Sequence, residues 1–425
     1  MKTGISSEKA GDMYEVAKET YAKFGVSSDR AIKEALALPI SVHCWQGDDL
    51  VGFEGGGSLS GSGLMTTGNY PGRARNGDEL RKDAEFAFSL IPGKKRFSLH
   101  SFYAETNGKK VSRDSITPEH FTEWMKWSKK RKIPLDFNPS FFAHPMADSG
   151  YTLASSDTKV RKFWIRHARA CRRIASAFGG NQEGPAVCDI WIPDGSKDYP
   201  ADRLSPRERL RDALDEILSE KIPASTITDA LECKLFGIGS EAYVTGSHEF
   251  YMSYAVKKQI KLCLDTGHFH PTETIADKIS AALLFVPGLL VHFSRGLRWD
   301  SDHVTTFSDE TRDACREIKR AGAFSRVDLA LDYFDASINR VAAWVIGTRS
   351  LRKALLESLL EPTHLIVDAE KRGKTHERLA LMEECKTLPF SSVWDKLCLN
   401  AKVPISAAWL GNVDEYERTV LNKRK

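Results

Sequence analysis

Short apolar runs recur along the chain, and each is followed by a stretch whose apolar positions keep helical spacing. Residues 7–37 read as two amphipathic helices. ISVHCW, Ile40 to Trp45, is apolar and β-branched and predicts a strand. Seven further runs follow it: RFSLHSFYAE, PLDFNPSFF, VCDIWIPDG, DALECKLFGIG, KLCLDTG, GLLVHFSR and RVDLALDYFD. Helical patterns separate them, over about residues 75–90, 117–130, 157–178, from Ser205-Pro206 onward, and over about 246–259, 272–285 and 308–321. Proline in a first turn, as at Pro206, suits a helix start. Short strands without in–out alternation suit a parallel sheet buried on both faces. Eight such strand–helix units predict an α/β protein, a (β/α)8 TIM-type barrel. A doubly wound sheet is the alternative, but it would lean on a glycine fingerprint or one switch-point crevice. Here polar residues end nearly every strand. From about residue 336 the pattern is helical to the end. The expected division is a catalytic barrel with N-terminal helices over 1–345 and a helical extension over 346–425. The extension is expected to pack outside the closed barrel and to serve subunit contacts.

The polar strand ends carry the candidate chemistry. In KLCLDTGHFHPTE, Lys261 to Glu273, a short buried strand runs into a turn holding Asp265, Gly267 and His268. Pro271 and Thr272 then predict a helix start. Chemistry in α/β proteins is done on the side where strands stop and helices begin. Three other strand-like runs end the same way, with Glu232 and Lys234, with His292, Asp300, Asp302 and His303, and with Asp328, Asp332 and Asp335. One such residue is most simply a satisfied polar group; four consecutive strands ending this way indicate a site.

Barrel residues two apart face the same way, so Glu232 pairs with Lys234 and Asp332 with Phe334. If those faces point inward, Glu232, Asp265, His292 and Asp332 converge. Three carboxylates and an imidazole suit a hard or borderline divalent cation such as Mn2+ or Mg2+. No thiolate joins them, which argues against structural zinc. His268, Asp300 and Asp302 sit on loops slightly higher and form a second set for a more exposed ion. Paired metals suit polarising adjacent oxygens and activating a water. An Asp-x-Asp pair alone often just caps a turn. Lys234 is equally an ion-pair partner or a stabiliser of developing negative charge. Trp45, Trp191 and Phe334 are either core residues or flat walls for the C–H face of a sugar. His100 is a core histidine or a substrate contact.

Composition narrows the class. Hydrophobic residues make up 41%, enough for a large core. With 61 basic and 57 acidic residues the net charge is +4, and the two signs are interspersed. That excludes a surface built to coat nucleic acid, which needs clustered Lys and Arg. The 8 cysteines form no C-x-x-C pair, and Cys44, Cys188 and Cys263 lie in strand-like runs, as reduced buried residues do. The N-terminus shows no apolar signal region, and the longest apolar run, near Ile279 to Phe293, is broken by Pro287 and Gly288. A cytoplasmic protein off the membrane is expected. The glycine-rich stretch between Gly47 and Gly72 has no phosphate-cradle pattern and reads as a lid or a subunit contact. Gly373 to Thr375 mimics the end of a phosphate loop, but Asp368 stands where that pattern needs glycine.

SVHCWQGDD, TGNYPGRARN, LDFNPS, IWIPDG, KLFGIGSE, LDTGHFHPTE, RWDSDHV and LDYFDASINRVAAW resemble the L-rhamnose isomerase family, and the likeness runs from about Tyr14 to the last helix. It implies a barrel, a homotetramer, and an aldose–ketose isomerase that interconverts L-rhamnose and L-rhamnulose with two divalent ions per subunit. Mn2+ is implied, with Mg2+, Co2+ or Zn2+ as substitutes. By that resemblance Glu232, Asp265, His292 and Asp332 hold the structural ion, and His268, Asp300 and Asp302 the catalytic one. Lys234, Trp191, His100 and Phe334 match substrate contacts. The implied mechanism is a hydride shift from C2 to C1, a metal-bound water moving the hydroxyl proton; Asp302, Lys234, Asp332 and His268 carry it. The competing route is an enediol with a carboxylate such as Asp332 as base. A family member with another preferred aldose, or a metal-dependent hydrolase on the same barrel, is the alternative function.

Overall fold

The protein, a computed structural model, is described over residues 7–54, 68–234, 242–297 and 300–424; the side chains of 7 and 300–302 stand outside that description. Eight parallel strands close into a barrel: β1 (Ile40–His43), β2 (Lys95–His100), β3 (Leu135–Asn138), β4 (Ala186–Ile190), β5 (Ile227–Glu232), β6 (Lys261–Asp265), β7 (Leu289–Phe293) and β8 (Val327–Leu331). They follow one another in chain order around the barrel, and β1 pairs with both β2 and β8 to close it. Just above that seam Gln46 donates to the Asp335 carbonyl at 2.9 Å and accepts from the Asp335 amide at 2.8 Å.

Helices α1 (Ser7–Lys23) and α2 (Ser28–Ala37) precede the barrel. Between the strands lie α3 (Gly77–Ser89), α4 (Thr122–Arg131), α5 (Thr158–Gly180), α6 (Leu204–Leu218), α7 (His248–Lys258), α8 (Ala276–Leu283) and α9 (Asp309–Arg320). After β8 come α10 (Arg340–Leu360), α11 (Thr363–Lys371), α12 (Thr375–Cys385), α13 (Phe390–Asn400) and α14 (Trp409–Thr419). α8 starts at Ala276, not at Pro271 as the sequence suggested. The intervening residues turn instead: the Glu273 amide donates to the His270 carbonyl at 2.8 Å and the Thr272 amide to His270 Nδ1 at 3.2 Å.

One large apolar core fills the space between strands and helices. A second unites the two ends of the chain: Tyr14, Ala17 and Ile32 of α1 and α2 pack with Leu356, Val393 and Trp394 of α10 and α13. α10 crosses position 345 as one unbroken helix and buries Trp344 against the barrel, where its indole donates to the His43 carbonyl at 2.8 Å. No helix among the described residues is long and apolar enough to cross a membrane. Among the described residues the cysteines are all free, and only Cys385 is not fully buried.

Candidate active site

Strands β4 to β8 share a two-step pattern. Val187, Ala230, Cys263, Leu290 and Ala330 form a small apolar cluster of their own. Two residues further on comes a polar group, at or near the end of the strand or, for Asp332, just past it: Asp189, Glu232, Asp265, His292 and Asp332. Side chains two apart share a face, so an apolar plug lies directly beneath a ring of carboxylates and one imidazole. Asp265 and His292 pair across β6 and β7, and Ala330 pairs with His292, its small side chain leaving the imidazole room.

Ligand atoms of Glu232, Asp265, His292 and Asp332 all lie within 4.8 Å of one another. His292 Nδ1 faces three carboxylates, 3.6 Å from Glu232 Oε1, 3.6 Å from Asp332 Oδ2 and 3.9 Å from Asp265 Oδ2. None of these is a hydrogen bond, and both His292 Nδ1 and Glu232 Oε1 are buried without a hydrogen-bond partner. Buried polar atoms in folded proteins are nearly always satisfied, so this donor set fits a divalent cation. The rest of the ring is held from outside. Trp45, in the turn after β1, donates its indole N–H to Asp332 Oδ1 at 2.9 Å. Asp265 Oδ1 accepts from the Gly267 amide at 2.6 Å and from Ser294 Oγ at 2.8 Å. His268 Nδ1 approaches Glu232 Oε1 to 2.9 Å but is aligned on the Cys233 carbonyl at 3.1 Å.

The electrostatics follow from this packing. Burial pushes Glu232 up, yet His292 and His268 beside it hold the carboxyl well below its usual value. Burial works against charge on His292, but Glu232, Asp189 and Asp332 raise it well above an ordinary histidine. Asp332 is pushed up to about 7 by burial, with His292 pulling the other way.

Above the ring, Trp45, His100, Trp191, Lys234, His268 and Phe334 line one pocket together with Glu232 and Asp332. Lys234 Nζ sits over the Trp191 ring, 5.0 Å from its centroid, and Trp45 packs on His100 with centroids 4.5 Å apart. The side chains of Asp300 and Asp302 lie outside the described residues; their backbone forms a two-stranded ribbon with Arg295–Leu297 just beyond β7. Most of the glycine-rich stretch between Gly47 and Gly72, residues 55–67, lies outside them too. Other acidic residues at the strand ends are taken up structurally. Asp328 pairs with Lys261 at 2.6 Å, Asp335 accepts from the Ser337 amide at 2.9 Å, and buried Asp194 ties down the Thr152 and Ala154 amides at 2.7 and 2.8 Å.

Sequence reasoning passed over Asp189. Both its carboxylate oxygens are buried without a hydrogen-bond partner, and its ligand atom lies within 4.8 Å of those of Glu232, Cys263 and His292. The signal was present: V-x-D in β4 has the spacing of A-x-E, C-x-D, L-x-H and A-x-D in the next four strands. Asn138 and Phe142 of the pocket wall were also not singled out.

Residues 9–424 match the family model described as L-rhamnose isomerase (RhaA). A Rhodopirellula baltica protein named L-rhamnose isomerase is 55% identical over 411 residues, 97% of this chain and 96% of its own length. A Yersinia pseudotuberculosis protein of the same name is 53% identical over 419 residues, 99% of both chains. Among solved structures, one titled L-ribulose 3-epimerase superimposes over 77% of this chain and 97% of its own, with a TM-score of 0.50 at 12% identity, a likeness of fold alone. A model match over almost every residue, with relatives more than half identical end to end, leaves one assignment: the chain belongs to the L-rhamnose isomerase family.

Proposed function

We propose that this protein is a metal-dependent aldose–ketose isomerase that interconverts L-rhamnose and L-rhamnulose. The observation that carries the reading is the ring of Glu232, Asp265, His292 and Asp332, with two buried ligand atoms lacking partners, set directly beneath a pocket of aromatic and cationic side chains. Family membership supplies the sugar. Glu232, Asp265, His292 and Asp332 would hold one divalent ion, and His268 with Asp300 and Asp302 a second; Mn2+ is the proposed metal. Such ions supply positive charge that polarises neighbouring sugar oxygens and makes nearby water more acidic.

The chain's own residues do the rest. Trp45, Trp191 and Phe334 give the open-chain sugar flat apolar faces for its C–H groups. Lys234, held over Trp191, brings a fixed positive charge to negative charge developing on oxygen. Trp45 also fixes the Asp332 carboxylate through its indole N–H. His100 contributes a polar contact to the sugar. Isomerisation moves hydrogen from C2 to C1 and a proton from O2 to O1, which we assign to a hydride shift with Asp302 serving the proton step. We place the protein in the cytoplasm as a homotetramer, with the helices beyond residue 345 serving subunit contacts.

The test is ketose formation from L-rhamnose after EDTA treatment and again after adding Mn2+. Activity lost and then restored is expected; no activity with any divalent ion sinks the reading at its substrate and calls for a panel of other aldoses. Run in deuterated water, the hydride shift predicts little solvent deuterium in the product, and substantial incorporation overturns it.

A further inference from the structure

His100 ends β2, is 8% exposed, and lines the pocket. Its Nδ1 lies 3.0 Å from Ser140 Oγ. The same oxygen accepts from the Ser101 amide at 3.1 Å and from Ser101 Oγ at 2.8 Å. A hydroxyl oxygen has two lone pairs and one proton. Ser101 occupies both lone pairs, so what remains for His100 is the Ser140 O–H. Nδ1 therefore accepts, and the ring carries its hydrogen on Nε2. The Asn138 carbonyl, which also lies beside the ring, is the rival acceptor for a ring N–H.

Ser140 is itself held rigidly. Its amide donates to His167 Nε2 at 3.0 Å, which leaves the His167 proton on Nδ1, 2.8 Å from the Arg113 carbonyl. Arg113 Nη1 in turn donates to the Ser140 carbonyl at 2.9 Å. The His100 ring is pinned against rotation by Trp45 at 4.5 Å, Phe102 stacked at 5.2 Å and Phe142 edge-on at 5.3 Å.

We propose that Ser140, with Ser101, is a positioning residue that locks His100 as its Nε2–H tautomer, so that the ring offers a sugar oxygen a fixed hydrogen-bond donor and never acts as a base. The sugar part rests on the function proposed above; the tautomer does not. Burial also pushes His100 down to about 3, so the ring stays neutral at working pH.

The test is nitrogen-15 NMR of the histidine rings in sugar-free protein, with the His100 signals assigned by their loss in His100→Gln. Wild type is expected to show His100 protonated at Nε2 and bare at Nδ1. Ser140→Ala removes the donor to Nδ1, and the milder Ser101→Ala frees a lone pair on Ser140. Both are expected to shift the ring toward Nδ1–H and to raise KM for L-rhamnose about three- to ten-fold, the worth of one hydrogen bond, with Mn2+ affinity unchanged. A wild-type ring protonated at Nδ1, or a tautomer unmoved in both variants, overturns the proposal. An Nε2–H ring in a protein inactive on every aldose overturns the sugar reading alone.

Discussion

Asp332 shows how one residue's surroundings set its role. Its Oδ1 is taken by the Trp45 indole, which leaves Oδ2 to face His292. A carboxylate fixed on one side by an outer hydrogen bond is aimed as a metal ligand, and such outer partners are typically worth about 10–100-fold in metal affinity. Trp45→Phe removes the N–H and keeps an aromatic ring against His100. Mn2+ affinity, measured by titration calorimetry on EDTA-stripped protein, is expected to fall by about 10–100-fold with the fold intact. An unchanged affinity would show that the indole hydrogen bond does not aim the ligand. Asp302→Asn is expected to retain fold but lose most activity; a wild-type rate would remove Asp302 from the site.

Among the elements, α5 is placed by a close approach to the barrel. Gly179, in its last turn, lies where an added Cβ would come 1.8 Å from the Thr226 carbonyl oxygen, just before β5. Replacing glycine by alanine inside a helix ordinarily stabilises by roughly 0.5–1 kcal/mol. Here the sign reverses, because a backbone carbonyl cannot give way without moving the start of the strand that carries Glu232. Gly179→Ala is expected to cost about 2 kcal/mol or more, read as a lower urea midpoint. A midpoint at or above wild type would mean that α5 shifts freely against β5.

The whole molecule is joined near the starts of β1 and β2 by Arg352 of α10, fully buried. Its guanidinium donates to the Ala35 carbonyl, to the Leu38 carbonyl at 2.5 Å and to the Lys94 carbonyl at 2.8 Å, tying α10 to α2 and to the residue before β2. Arg352→Met leaves three carbonyls short of a donor and is expected to destabilise by about 3 kcal/mol or more, checked by urea denaturation. The site also couples to global stability through pH. In metal-free protein, burial lowers His268 and His292, but the carboxylates around them win and both lie above the ordinary 6.5. The stability they contribute is complete below that value and is lost as pH rises through their folded values. Asp332, raised from 3.8 to about 7, acts the same way, since the folded state holds its proton longer. Protons thus stand in for the cation at low pH and compete with it. The rise in Tm on adding Mn2+ to stripped protein is expected to be larger at about pH 8 than at about pH 6; equal rises would contradict this linkage.

By itself the sequence determined the barrel. Eight short runs such as LLVHF and VDLAL, mostly apolar and alternating with helical spacing, have no other economical burial than a parallel sheet covered on both faces. The same period placed Glu232, Asp265, His292 and Asp332 at the ends of consecutive strands, and inward-facing alternation was enough to expect them together. Tertiary structure alone decided what each polar group does. Asp328 and Asp332 share one strand-like run, yet the first is paired with Lys261 and the second faces His292. Asp189 stayed hidden because one carboxylate in an apolar run reads as a satisfied group until its neighbours around the barrel are known. The tautomer of His100 depends on Ser140, 40 residues away. Local periodicity fixes which face a side chain takes, because backbone geometry repeats every two or 3.6 residues. Hydrogen-bond partners and charge come from residues distant in the chain, and only closure of the barrel sets those distances.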